Sequence, residues 1–399
     1  MQNGIRLIHR QNNSEVAHFG LMALTGTRDE LPAEHGLAHF MEHMFFKGTV
    51  RRSPYQIISR LEDVGGEINA YTTKEETAIY ASFLHSDTRR AMELIQDIFL
   101  HSTFPEKERA KEAEVILNEI QSYEDSPSEL IFDRAEEILF PDHPIGRNIL
   151  GTEASLEGFR NGTLERFREE NYASEELVLS YVGRMPFDQV MHAAEKYFGS
   201  IPARSRTRDR VTPVHQSGTV LKEKRNTYQK HCILAGPAYA LDHPRRLPLY
   251  LLNNILGGPG MNSRLNLALR ERRGYTYSAE SHYAPFTDAG AMLIYFSSDA
   301  DVFGKSLRVV RDELHKLREK AIPENRLKHA RRQLMGQLAI SSENNEHLML
   351  NAAKSILVFD RVVSLEEVQQ KLESIGPDEL REIARDVLDP AMLNTLIFE

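Results

Sequence analysis

The stretch FPEKERAKEAEVILNEI (residues 104–120) has a counterpart in IPENRLKHARRQLMGQL (322–338), and this pairing decides the architecture. Pro105 meets Pro323 and Glu106 meets Glu324, each pair opening a long run at helical spacing. Proline loses no hydrogen bond in a helix's first turn, and an acidic residue there complements the helix dipole, so both stretches read as helix starts. A second pairing sets TLERFREENYASEELVLSYV (163–182) against PDELREIARDVLDPAMLNTLIF (377–398). In it Leu164 meets Leu380, Phe167 meets Ile383, Leu177 meets Leu393 and Tyr181 meets Ile397.

Working outward, each half opens on two segments of alternating apolar residues that read as strands. These are GIRLIHR and EVAHFGLMALTG in the first half, GTVLKEK and HCILAGPAYA in the second. Each half continues through helices and a Gly-containing turn and closes on a short strand. A tandem duplication of this kind predicts an α+β chain of two homologous α/β-roll domains. Each would be a mixed, mostly antiparallel sheet packed with helices. The polar stretch ARSRTRDRVTPVHQ (203–216) is the expected boundary, giving domains 1–203 and 217–399 around a linker at 204–216. Arg204, Arg206, Arg208 and Arg210 are read as a solvated charge run within it.

The 399 residues carry a formal net charge of −9, which argues against a nucleic-acid partner, since phosphate backbones attract basic surfaces. Cys232 is the single cysteine, so an intrachain disulfide and a four-thiolate zinc site are both excluded. It lies in an apolar, strand-like run and reads as a buried structural thiol. The first residues, MQNGIRLIHRQNNSEVAHFGLMALTG, show neither the basic-then-apolar pattern of a signal peptide nor an Arg/Ser-rich transit segment. No apolar stretch is long enough to span a bilayer. The expectation is a cytoplasmic protein with no membrane partner.

Chemistry is concentrated in HFMEH (39–43). Residues four apart share a helix face, so His39 and His43 can reach one ion, and Glu42 stands beside them as a candidate general base for a water. This is the inverted form of the HExxH zinc helix. The apolar surroundings, GLAHFMEHMFF, describe a buried helix in which unpartnered His and Glu side chains would be costly, and metal ligation removes that cost. A catalytic zinc takes three protein ligands. The helix KERAKEAEVILNEIQSYE (107–124) offers Glu112 and Glu119 on one face, either of which is otherwise a surface acid.

HGLAHFMEHMFFKGT, LEDVGGEINAYTTKEETAIYAS and EVILNEI together resemble the pitrilysin-type (M16, inverzincin) zinc metallopeptidases. Within them the chain is most similar to the short-chain subgroup that includes mitochondrial processing peptidase and bacterial processing proteases. The resemblance spans nearly the whole chain. It implies zinc, one per chain, with His39, His43 and Glu119 as metal ligands, Glu42 as base and Glu112 as an auxiliary acid. It also implies that GGEINAYTTKEETAIY is the active-site edge strand, with Asn69 and the backbone at Ala70 gripping substrate by strand addition. In the second half Tyr250, Asn253, Asn254 and Gln337 stand where the zinc residues would be, and no zinc is expected there. SRLNLALRERRGYTYS (263–278) matches the family's Arg/Tyr motif, which implies that Arg270 and Tyr277 donate hydrogen bonds near the scissile carbonyl. LGGPGMNSRL (256–265) resembles a shortened form of the family's glycine-rich loop.

The family's chamber is built from four such domains, so two chains are expected to meet. Because this chain carries both residue sets, the expected assembly is a homodimer whose active sites combine zinc from one subunit with Arg270 and Tyr277 from the other. The expected function is an endopeptidase acting on unfolded peptides or leader segments in a closed chamber. The competing reading is a non-catalytic peptide-binding or scaffold subunit, which degenerate zinc residues would mark; here that set is intact.

Overall fold

The structure is a computed structural model that describes residues 1–159, 162–207 and 209–399. The first half contributes strands β1 (Arg6–Gln11), β2 (Val16–Ala23), β3 (Glu67–Thr72), β4 (Thr77–Leu84) and β5 (Leu177–Gly183). Its helices are α1 (Leu37–Phe45), α2 (Pro54–Glu62), α3 (Thr88–His101), α4 (Glu106–Glu124), α5 (Pro127–Leu139), α6 (Glu153–Gly158), α7 (Thr163–Asn171) and α8 (Phe187–Phe198). The second half contributes β6 (Val220–Glu223), β7 (Lys230–Pro237), β8 (Ala279–Pro285), β9 (Gly290–Ser298) and β10 (Asn394–Phe398). Its helices are α9 (Arg246–Gly257), α10 (Phe303–Glu319), α11 (Glu324–Ser342), α12 (Asn345–Phe359), α13 (Leu365–Ser374) and α14 (Pro377–Val387).

The two sheets repeat one topology. Strand order is β1-β5-β2-β4-β3 in the first and β6-β10-β7-β9-β8 in the second. In each, the outermost strand on one side runs parallel to its neighbour and every other pairing is antiparallel. The expected pair of mixed, mostly antiparallel sheets with helices is what forms, and the helices quoted as repeats, α4 and α11, are 19 residues each.

The chain divides into two compact units that are not contiguous in sequence. One comprises Met1–Gln121, Ile149–Val211 and Ile340–Val362; the other comprises Ser122–Asn148, Thr212–Ala339 and Val363–Glu399. Helix α12 therefore packs on β5, β2 and β1 of the first sheet, and α5 packs on β7, β10 and β9 of the second.

Strand alternation explains why each sheet needs these covering helices. Successive side chains point to opposite faces. Phe19, Leu21, Leu179 and Tyr181 enter the main core of the first unit with Phe45, Ile98 and Phe198. Met22, Ala78 and Val178 face the other way and are closed by Ala353 and Leu357 of α12. In the second unit Leu234, Ile294 and Phe296 join the main core, while Ile233, Leu293 and Leu396 meet Ile131, Ala135 and Leu139 of α5. Cys232 is fully buried, and burial pushes its thiol up to about 12, as befits a structural thiol.

Arg204 is exposed, as expected of a solvated run, but Arg206 and Arg210 are not solvated. Arg206 pairs with Glu176 and Asp29, and Arg210 pairs with Asp29 and Glu75. Asp29 is held below the usual carboxylate range: burial alone would raise it, and the two guanidiniums outweigh burial. Arg208 lies outside the described residues.

Candidate metal and peptide site

Helix α1 is short and starts abruptly. Its N-cap is Gly36, whose φ of +89° lies in the left-handed region that glycine tolerates and whose hydrogen side chain cannot cap. An added Cβ there would also lie 2.6 Å from the Leu150 carbonyl oxygen. The capping role is taken by Glu30, a buried residue of the preceding loop, whose carboxylate accepts from Gly36 N–H at 2.9 Å and Ala38 N–H at 2.8 Å. A carboxylate at a helix N-terminus satisfies orphan donors and meets the positive end of the dipole.

One face of α1 sends Leu37, Phe40, Met41, Met44 and Phe45 into the core. The remaining arc carries His39, Glu42 and His43, turned toward α4. His39 Nε2 lies 3.8 Å and His43 Nε2 3.9 Å from the same carboxylate oxygen of Glu119. The donor atoms of the three residues all lie within 4.8 Å of one another. Two donors on a tetrahedral zinc of ordinary bond length are separated by about 3.3 Å, so this set needs only a small contraction to close on an ion.

The surrounding groups fit a metal. His43 Nδ1 donates to Glu112 Oε1 at 2.9 Å, which fixes the tautomer that leaves Nε2 with its lone pair toward Glu119. Glu112 also takes Lys47 Nζ at 2.6 Å. His39 Nδ1 is buried without a hydrogen-bond partner. Burial, and then the neighbouring His43, lower the His39 ring to about 4, so at neutral pH it is an uncharged donor. Glu42 is raised above the ordinary carboxylate value, first by burial and also by Glu119, against opposing contributions from Thr72 and His43. Thr72 stands near Glu42 but short of good hydrogen-bond geometry, since its hydroxyl is buried without a partner.

Asn69 and Ala70 sit in β3, which packs beside α1. Among the described residues strand β3 pairs only with β4, opposing Asn69 to Tyr80 and Ala70 to Ile79. Its other edge is unpaired among the described residues, and an unpaired edge is a template for an extended peptide.

In the second unit, Arg270 lies in a π-helical stretch at Asn266–Glu271, and Tyr277 is 84% exposed. Both line one cavity with Tyr250, Asn253 and Glu280. The glycine-rich loop is tightly packed only at its start: a Cβ on Gly257 would lie 2.5 Å from the Ser281 nitrogen, so glycine lets α9 close on β8, while Met261 is exposed. Beyond the residues expected from sequence, the structure adds Glu30 and Lys47. Neither carried a sequence signal, because Glu30 caps from outside the helix and Lys47 acts through Glu112.

Residues 6–153 match the insulinase (peptidase family M16) model, and residues 161–334 match the model of the M16 peptidase inactive domain. An uncharacterized zinc protease of Bacillus subtilis is 32% identical over 388 residues, covering 97% of this chain and 94% of that protein. One from Streptomyces coelicolor is 33% identical over 396 residues, covering 97% of this chain and 86% of the other. The chain belongs to the insulinase (M16) family of peptidases. A crystal structure of a protease from Helicobacter pylori shares the fold, with a TM-score of 0.92 at 18% identity over 100% of this chain and 98% of that one. No helix among the described residues is long and apolar enough to cross a membrane.

Proposed function

We propose that the chain is a zinc endopeptidase that cuts unfolded peptides or leader segments. One observation carries the reading: in a member of this family, His39 and His43 of α1 converge with Glu119 of α4, and Glu42 stands beside His43 on α1. The fit of the donor set supports zinc at His39, His43 and Glu119, one ion per chain. Zinc there would supply Lewis acidity, polarising a peptide carbonyl and acidifying a water.

The chain's own residues do the rest. Glu42 takes a proton from the attacking water onto its carboxylate and passes it to the departing amine nitrogen. A carboxyl raised by burial suits that exchange, because proton transfer is most efficient when the catalytic group's pKa approaches the working pH. Glu112 orients His43 and strengthens it as a ligand. The open edge of β3 holds the substrate backbone at Asn69 and Ala70. Arg270 and Tyr277 from a second copy donate to the oxyanion, making the working form a homodimer.

The test is hydrolysis of an unstructured basic peptide by the wild type and Glu42→Gln, with bound zinc measured in both. Cleavage by the wild type, a fall of about 10²–10⁴-fold in the variant and equal zinc content support the reading. Peptide binding without cleavage by the wild type would make the protein a peptide-binding subunit instead.

A further inference from the structure

The second unit holds a cavity of about 490 Å³ between the end of α9, residues 262–272, the last turns of α10 and the first turns of α11. Arg264, Arg272, Lys316 and Arg326 line it, with His329, against one carboxylate, Glu313. That carboxylate is already engaged. Arg264 reaches it at 2.8 Å and Lys316 at 2.7 Å, and together they hold Glu313 below its ordinary value although burial alone would raise it. Arg272 and Arg326 make no ion pair among the described residues. The lining therefore has three more cationic groups than anionic ones, in a chain whose net charge is −9.

The first unit offers a contrast. There Arg52 precedes α2 and Arg60 lies in its last turn, eight residues apart as Arg264 and Arg272 are. Both are neutralised by α3: Arg52 pairs with Glu93 and Asp97, and Arg60 pairs with Glu93. Along the repeated helices, Arg326 replaces Glu108 and Ala330 replaces Glu112. At these two positions of the repeat, acids of the first unit give way to an arginine and an alanine beside the second unit's cavity. Charges concentrated in a concavity without counter-charges repel one another, and an anion seated among them relieves that repulsion.

We propose that this cavity is a binding site for a small multivalent oxyanion, a phosphorylated or polycarboxylic metabolite. Guanidinium groups present paired N–H donors that match the oxygens of phosphate and carboxylate, and the volume is in the range of small-molecule sites. The cavity shares no residue with the candidate metal site, so the proposal stands independently of the peptidase reading.

The test is calorimetric titration of the full, zinc-loaded chain with orthophosphate and, separately, with succinate, at constant ionic strength set by sodium chloride. Saturable binding is expected for at least one of them, weakened on the order of tenfold or more by Arg272→Ser/Arg326→Ser and unchanged by Glu42→Gln. Arg272 and Arg326 are exposed, so the double variant should melt like the wild type. Arg326→Glu, which restores the charge found at Glu108, should abolish binding. Any loss of zinc to the titrant would act equally on wild type and variants. Phosphate binding without succinate binding assigns a phosphorylated ligand, and the converse assigns a polycarboxylate; either supports the proposal. It is overturned if neither anion binds, if the variants bind as tightly as the wild type, or if only an acidic polypeptide binds.

Discussion

His43 and Glu112 are joined by a 2.9 Å hydrogen bond from Nδ1 to Oε1, on the side of the ring away from Glu119. That bond decides which nitrogen faces the metal position. Glu112 is buried and its other oxygen is taken by Lys47, so neither partner is free to turn. Removing the carboxylate lets the ring rotate and lowers its basicity. Glu112→Ala should weaken zinc binding by about 10–100-fold, read by competition with a chromogenic chelator. Glu112→Gln should lie between, because an amide oxygen still accepts the hydrogen bond. Wild-type affinity in both variants would remove Glu112 from the site.

Glu30 supports the same helix from its other end. Its carboxylate satisfies two backbone N–H groups at a terminus where glycine provides no cap. Glu30→Ala strands both donors in a buried position, a cost of roughly 2–4 kcal/mol in unfolding free energy. Because His39 lies in the first turn, zinc affinity should fall with stability. Glu30→Gln keeps an acceptor oxygen and should lose less on both measures. Urea denaturation and chelator competition on the same preparations check this.

How much of this was legible in the sequence depends on the reach of each interaction. HFMEH could be read because its chemistry fits within one helical turn, and α4 and α11 because helical periodicity and a Pro-Glu start are local signals. Glu112 and Glu119 were both visible as acids on one face, but their residue types alone did not separate ligand from auxiliary acid. Glu30 was invisible because it caps from a loop six and eight residues before the groups it binds. Arg206 and Arg210 were misread because their partners Asp29 and Glu75 are far away in the chain, and a charge run carries no record of distant counter-charges. The placement of α5 and α12 was hidden for the same reason: their apolar faces show that they must be covered, and say nothing of which sheet covers them.

The Asp29 cluster gives a pH prediction with a definite sign. Asp29 has a lower pKa folded than unfolded, since Arg210 and Arg206 outweigh the effect of burial. A depressed carboxyl contributes stability that is fully present above its unfolded value, about 3.9, and is lost as pH falls through the lower folded value. The denaturation midpoint should therefore fall as pH drops below about 4. Asp29→Asn should lower the midpoint at pH 7, because it leaves two partly buried guanidiniums under-compensated, and should flatten the acid limb. Parallel acid limbs for the two proteins would show that Asp29 does not carry this dependence.

The division of labour between copies can be tested by complementation. Glu42→Gln removes the proposed base and leaves Arg270 and Tyr277 intact; Arg270→Ala does the reverse. Each variant alone should be nearly inactive. In a homodimer whose sites each draw on both chains, a mixed dimer contains one site that pairs an intact Glu42 with an intact Arg270, and one that lacks both. Random reassociation of equal amounts makes half the dimers mixed, with one working site in two, so about a quarter of wild-type activity should return. The recovery should follow the mixing ratio and peak at equal amounts. If each site were completed within a single chain, mixing would restore nothing at any ratio, and Arg270 would have to act beside the zinc of its own subunit.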